Sequence, residues 1–191
     1  MRFNSTGHVK LKLQFQIERN IYEIAVTCPL NHDTMNSYSL LRTAASHADF
    51  QSLVALLDAD LAERDGDEHD FYHQFNSIDS LKHCMLLYDK NTAVGCGAIK
   101  AFDPVSMEIK RMYVPPQERG KGIASRLLIG LETWAKELGY SRCVLETGIR
   151  QPEAIALYEK NGYKRIPNYG QYIGVANSVC FEKKLTDAPW K

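Results

Sequence analysis

At 191 residues the chain has the length of one domain, judged against roughly 100 to 200 residues per domain. With 45% hydrophobic and 24% charged residues it falls in the globular range, which excludes disorder, collagen-like repeats and coiled coil as whole-chain descriptions. Lys plus Arg and Asp plus Glu both count 23, so no global charge draws the chain to nucleic acid, and a polyanion must bind at a local site.

The first 34 residues admit two readings. Val9, Leu11, Leu13, Phe15 and Ile17 alternate with polar residues, and a turn at Glu18-Arg19-Asn20 would lead into Ile21–Val26 as a hairpin. Alternatively residues 1–34 are a dispensable extension and Met35 opens a domain running to residue 191. From Ser46 the signals sharpen. Ser46 with Asp49 has the form of a capping box, and Phe50, Leu53, Val54, Leu57 and Leu61 follow at helical spacing. The end of this helix and the loop beyond carry Asp58, Asp60, Glu63, Asp65, Asp67, Glu68 and Asp70 against the single base Arg64, before the aromatic residues Phe71, Tyr72 and Phe75. Such a run is ordinarily a solvated face; its sharper alternative is an acidic wall for a cationic substrate.

Cys84–Tyr88 and Ala93–Ala101 read as strands joined through the turn-forming Asp89-Lys90-Asn91-Thr92, and Met107–Val114 reads as a third strand ended by Pro115-Pro116. Ile123, Leu127, Leu128, Leu131, Trp134, Ala135 and Leu138 trace an amphipathic helix that stops at Gly139. Cys143–Glu146 is a short buried strand. Pro152 opens a helix through Tyr158 to Asn161-Gly162, and 163–166 and 179–185 supply late strands.

The stretch from Arg111 to Ser125 places glycines and bases between a strand end and a helix start. The first turn of a helix offers N–H groups without intrahelical partners and a partial positive charge, and glycines let a phosphate approach the backbone closely. Arg119 and Lys121 add charge there. The spacing is not that of a P-loop, because Pro115 stands where the first glycine belongs and Gly122 follows the lysine. A dinucleotide fingerprint would need glycine at position 125, which is Ser.

Gln117-Glu-Arg-Gly120-Lys-Gly122 does resemble the acyl-coenzyme A motif Q/R-x-x-G-x-G/A of the GNAT N-acetyltransferase superfamily. Glu108–Val114 is similar to that family's fourth strand and Ala154–Tyr163 to its late helix and following strand, so the resemblance covers most of residues 40 to 185. It implies an α/β (α+β) fold: a central mixed, mostly antiparallel sheet, splayed between its fourth and fifth strands and flanked by helices on both faces.

The resemblance further implies an acyltransferase using acetyl-CoA as donor substrate and an amine as acceptor, with no metal. Met112 and Val114, with Tyr113 between them, would meet the pantetheine arm, and the Met112 amide would also receive the developing oxyanion. Gln117, Arg119, Gly120, Lys121, Gly122, Ile123, Ala124 and Ser125 would receive the pyrophosphate. Gln151 stands where the family often has Asn, so that contact is altered. Tyr158 is placed as general acid; Glu108 and Glu146 are the carboxylates available as base, each with an ion-pair alternative, and an ordered-water relay is the third option.

Cys96, Cys143 and Cys180 read as small buried strand residues, which leaves direct transfer in a ternary complex. His69 and His73 share a helical face but have no obvious third ligand, so no metal is expected. Asp65, Asp67, Glu68, Tyr72, Phe75, Tyr169 and Tyr172 are candidates to shape an acceptor site for a cationic amine. A non-catalytic acyl-CoA sensor is the competing functional class. The five cysteines include no C-x-x-C pair, and no apolar run reaches the roughly 18 residues of a bilayer span. The expected setting is the cytoplasm, away from membrane and nucleic acid, with a homodimer left open.

Overall fold

The structure, a computed structural model, describes residues 38–65, 78 and 80–185. The expectations for residues 1–34, for Asp67, Glu68, His69, Tyr72, His73 and Phe75, and for the side chain of Asp65 lie outside the described residues.

In chain order the elements are β1 (Tyr38–Thr43), α1 (Ala48–Asp65), β2 (His83–Asp89), β3 (Thr92–Asp103), β4 (Ser106–Tyr113), α2 (Ile123–Glu137), β5 (Arg142–Gly148), α3 (Pro152–Lys160), β6 (Lys164–Ile166) and β7 (Ser178–Lys184). The strands form one seven-stranded sheet in the order β1-β2-β3-β4-β5-β7-β6. β4 and β5 pair in parallel, and the other neighbours are antiparallel.

Both faces of the sheet are buried, which is why Cys84-Met-Leu-Leu87 is a continuous apolar run instead of an alternating one. Cys84 and Leu86 face Phe50, Leu53, Val54 and Leu57 of α1. Met85 and Leu87 face Ile123, Leu127, Leu128 and Leu131 of α2, in a core that continues to Tyr158 of α3 and Phe181 of β7.

The helix ends follow from local chemistry. At the end of α2 the Gly139 N–H bonds the Lys136 carbonyl and the Tyr140 N–H bonds that of Ala135, with Gly139 at φ +89°. The end of α3 repeats this pattern: Gly162 to Glu159 and Tyr163 to Tyr158, with Gly162 at φ +85°. Both are Schellman caps, which need a residue able to take the left-handed conformation. The start of α1 differs from the expected capping box. The His47 Nδ1 accepts from the Asp49 N–H at 3.2 Å, and the Asp49 carboxylate instead receives the Tyr88 hydroxyl of β2 at 2.5 Å.

Two irregularities of β4 build the site. Its ladder with β5 covers only Ser106–Glu108 against Arg142–Val144, so the strands part from Ile109 onward. Its ladder with β3 slips between Cys96↔Tyr113 and Ala98↔Lys110, three residue steps of β4 against two of β3. Arg111 sits in this bulge at φ +55°, a conformation uncommon for a non-glycine residue.

Candidate active site

Where β4 and β5 part, two cavities meet. The larger, of about 300 Å³, runs from Met112–Val114 along the loop Glu118–Gly122 and the start of α2, closed by Asp60 and Arg64 of α1 and by Glu153, Leu157 and Lys160 of α3. The smaller, of about 100 Å³, is lined by Ile109–Met112 of β4, Glu146–Gly148 of β5, Leu57, Leu61 and Tyr172. Both are lined by Leu57, Leu61, Met112, Gln151 and Tyr158, which therefore stand at the junction.

The larger cavity has the features of an anion cradle. Gly120 and Gly122 have φ +79° and +78°, and a Cβ at either would meet nothing within 4 Å, so open space lies above the backbone. Gly122 is the N-cap of α2 and no side chain caps that turn; the first intrahelical bond is from the Arg126 N–H to the Gly122 carbonyl. The amides of Ile123, Ala124 and Ser125 are thus available to a bound anion. Asn161 Nδ2 donates to the Ser125 hydroxyl at 3.1 Å and fixes it on the cavity wall.

Arg119 folds back, Nε to the Val114 carbonyl at 3.0 Å, and joins an ion-pair cluster across the cleft. Asp60 binds both Arg64 (3.0 Å) and Arg119 (3.1 Å), while Glu153 binds Arg64 (2.5 Å) and lies 3.6 Å from Arg119. Of the residues expected to hold the coenzyme, Gln117 and Lys121 are exposed and not on the cavity wall, and Lys121 pairs with Glu118 at 2.8 Å. Tyr113 lines the cleft, yet its side chain belongs to the core under α1. Gln151 accepts from the Thr147 hydroxyl at 3.3 Å and reaches both cavities.

Tyr158 is buried against Tyr163 and Phe181, with ring centroids 5.7 and 5.9 Å away. Burial, reinforced by the nearby Glu146 charge, raises its phenol well above the ordinary value. The two carboxylates separate clearly. Glu146 lines the smaller cavity and accepts from the Ser178 hydroxyl at 2.6 Å. Glu108 is buried, whereas Glu146 is only half-buried, and Glu108 is not among the lining residues: it accepts from the Tyr169 hydroxyl at 3.0 Å and lies 3.5 Å from the Lys110 ammonium. Tyr172 lines the smaller cavity and Tyr169 stands behind it on Glu108.

Sequence reasoning missed Lys110 and Arg111 as lining residues, and Asp60, Arg64 and Glu153 as the cluster over the cleft. Asp60 and Arg64 carry the only local signal, their i,i+4 spacing on a helix. The cysteines behave as expected of core residues. Burial pushes the Cys96 and Cys143 thiols up to about 12, and Cys180 is raised by the same cause. Among the described residues no group of His, Cys, Asp and Glu could hold a metal ion, and no helix is long and apolar enough to cross a membrane.

This architecture, with its glycine loop between a bulged strand and an uncapped helix, defines an acetyltransferase-type site, and comparison with known proteins agrees. The family model described as "Acetyltransferase (GNAT) family" matches residues 50–163, and the chain belongs to that family. It is 44% identical over 96 residues to IAA acetyltransferase of Azospirillum brasilense, covering 49% of this chain and 62% of that protein. To the uncharacterized N-acetyltransferase YjgM of Escherichia coli (strain K12) it is 46% identical over 59 residues, 31% of this chain and 35% of the other. The chain thus spans less than two thirds of the length of these curated relatives. A structure described as an acyl-CoA N-acyltransferase from Klebsiella pneumoniae subsp. pneumoniae superposes with TM-score 0.65 and 34% identity over 78% of this chain and 98% of that one. A GNAT acetyltransferase of Elizabethkingia anophelis with acetyl-CoA bound has the same fold, with TM-score 0.58 and 19% identity over 78% of this chain and 99% of the other.

Proposed function

We propose that this chain transfers the acetyl group of acetyl-CoA directly to the amine of an acceptor seated in the smaller cavity. The observation that carries this reading is the meeting of two cavities at Tyr158, Met112 and Gln151, where β4 and β5 cease to pair. The larger cavity suits the donor: free amides at the start of α2 and the open space over Gly120 and Gly122 suit its pyrophosphate. The β4 edge from Met112 to Val114, without a strand partner on the β5 side, suits its pantetheine amides. Bound there, the donor supplies an activated acyl group on sulfur.

The chain's own groups do the rest. An unperturbed alkyl ammonium has a pKa of about 10.4, so the acceptor must lose a proton before it attacks. Glu146, oriented by Ser178 at 2.6 Å, takes that proton directly or through one water. The Met112 amide donates to the oxygen on which negative charge builds. As the carbon–sulfur bond breaks, Tyr158, kept protonated by its burial, gives its proton to the departing thiolate, and the second proton that the nitrogen sheds as the amide forms restores the phenol. Glu108 serves a different end in this scheme, holding Lys110 and Tyr169 in place behind the cavity.

The test is thiol release from acetyl-CoA with a panel of primary amines, run beside calorimetry of CoA binding. Amine-dependent release supports the reading. Binding of CoA without turnover of any amine points instead to an acyl-CoA sensor, and no binding overturns both.

A further inference from the structure

The acceptor cavity has charges of opposite sign on its two facing walls. β4 contributes Lys110 and Arg111, and β5 contributes Glu146. Neighbouring residues of a regular strand point to opposite faces, so two adjacent cations should not share a cavity. The bulge removes that restriction. With Arg111 at φ +55° the strand parity changes, and Arg111 joins Lys110 on the α1 side, where its Nη2 meets Asp58 at 2.5 Å. Met112, next along, packs with the core on the other side of the sheet.

Both cations keep donors to spare. Lys110 has three N–H donors; its ammonium lies 3.4 Å from the Tyr172 hydroxyl and 3.5 Å from Glu108, which leaves a third donor without a partner among the described residues. Arg111 is 7% exposed, and its buried Nε has no hydrogen-bond partner among the described residues. An anionic group entering the cavity meets the spare Lys110 donor and the Arg111 guanidinium, and charge-assisted hydrogen bonding to them favours it. The rest of the lining mixes apolar Leu57, Leu61, Ile109 and Met112 with polar Thr147, Gln151, Tyr158 and Tyr172, and about 100 Å³ suits a small molecule.

Resting on the acetyltransferase reading above, we infer that the acceptor is a small amine that also carries a carboxylate, an amino acid in the broad sense. Its carboxylate lies against Lys110 and Arg111, and its amine faces Glu146 at the junction with the donor cleft. A purely cationic polyamine would set one of its charges against the β4 wall and is disfavoured. Of the acidic run that pointed toward a polyamine-like acceptor, Asp58 is paired with Arg111 and Asp60 with Arg64 and Arg119, and the loop residues Asp67, Glu68 and Asp70 lie outside the described residues.

The test uses matched trios: each proteinogenic amino acid, β-alanine and γ-aminobutyrate, beside its carboxamide and its decarboxylated amine. Thiol release and calorimetric binding to the CoA-saturated full-length protein are both measured. The expected result is at least one trio in which the free acid has a kcat/KM about tenfold or more above both analogues, with tighter binding to match. Lys110→Met should bring acid and amide within about twofold of each other through KM, and Lys110→Arg should restore most of the preference. Carboxamides or decarboxylated amines used as well as the acids, or no acid bound or acetylated by protein that binds CoA, would overturn the inference. Failure to bind CoA at all is separately read as failure of the acetyltransferase reading.

Discussion

Arg64 of α1 and Arg119 of the glycine loop share the carboxylate of Glu153, at 2.5 and 3.6 Å, across the mouth of the larger cavity. The contact ties α1, the loop and α3 together where the donor's phosphates are proposed to lie. A phosphate and Glu153 would compete for the same guanidinium groups.

Replacing Glu153 by Gln should therefore tighten CoA binding. The pair is partly exposed, Arg64 by 25% and Glu153 by 46%, so the change is that of a surface pair, about 0.2 to 1 kcal/mol or roughly 1.4- to fivefold in Kd. Calorimetry at low and moderate salt checks both the sign and its attenuation by screening.

Gly122 should tolerate no side chain without loss of donor binding. Its φ of +78° is strained for any L-residue by about 1 to 2 kcal/mol, and a Cβ would enter the space assigned to phosphate. Gly122→Val is expected to weaken CoA binding by about tenfold or more, with the thermal melt recorded alongside. Gly95 makes the contrasting case. A Cβ there would stand 2.8 Å from Leu127 Cδ1 and 3.2 Å from the Tyr113 carbonyl, so Gly95→Ala should cost about 1 to 3 kcal/mol of stability, measured by denaturant unfolding.

Tyr158→Phe should reduce kcat by about 10² while leaving the CoA Kd within about twofold, since the ring packing survives and only the proton donor is lost. Buried Cys143→Ala should retain turnover, and intact mass after mixing with acetyl-CoA should show no acetylated protein. A stoichiometric acetyl adduct on a cysteine would contradict direct transfer.

Stability should fall on the alkaline side. Burial holds the Cys84, Cys96 and Cys143 thiols at about 12, while in the unfolded chain they ionise near 8.5. Above that pH the unfolded state carries fewer protons than the native one, so the slope of unfolding free energy with pH is negative. Each such thiol contributes at most about 1.4 kcal/mol per pH unit. Full stability is thus expected below about pH 8.5, with loss through pH 12. Chemical denaturation between neutral pH and pH 11 checks it, and a flat profile would contradict the burial of these groups.

Much of the fold was legible because its signals are local. Gly139 and Gly162 mark helix ends by backbone conformation, Pro152 marks a helix start, and the Cys84–Leu87 run marks a strand covered on both faces. The glycine loop was legible for the same reason. What escaped depends on partners distant in the chain. Asp49 left the expected capping box because Tyr88, 39 residues away, takes its carboxylate. Arg111 reaches the smaller cavity because of the register between β3 and β4, which no residue type at position 111 announces. Glu108 and Glu146 looked equivalent as strand carboxylates; they part only because Tyr169 folds back 61 residues on to reach Glu108.

The most direct test of the central claim is an experimental structure of the full chain with CoA. The account predicts the diphosphate on the amides of residues 122–125, the pantetheine arm along the unpaired edge of β4, and the sulfur within hydrogen-bonding reach of the Tyr158 hydroxyl. A coenzyme bound elsewhere, or a sulfur directed away from Tyr158, would contradict it.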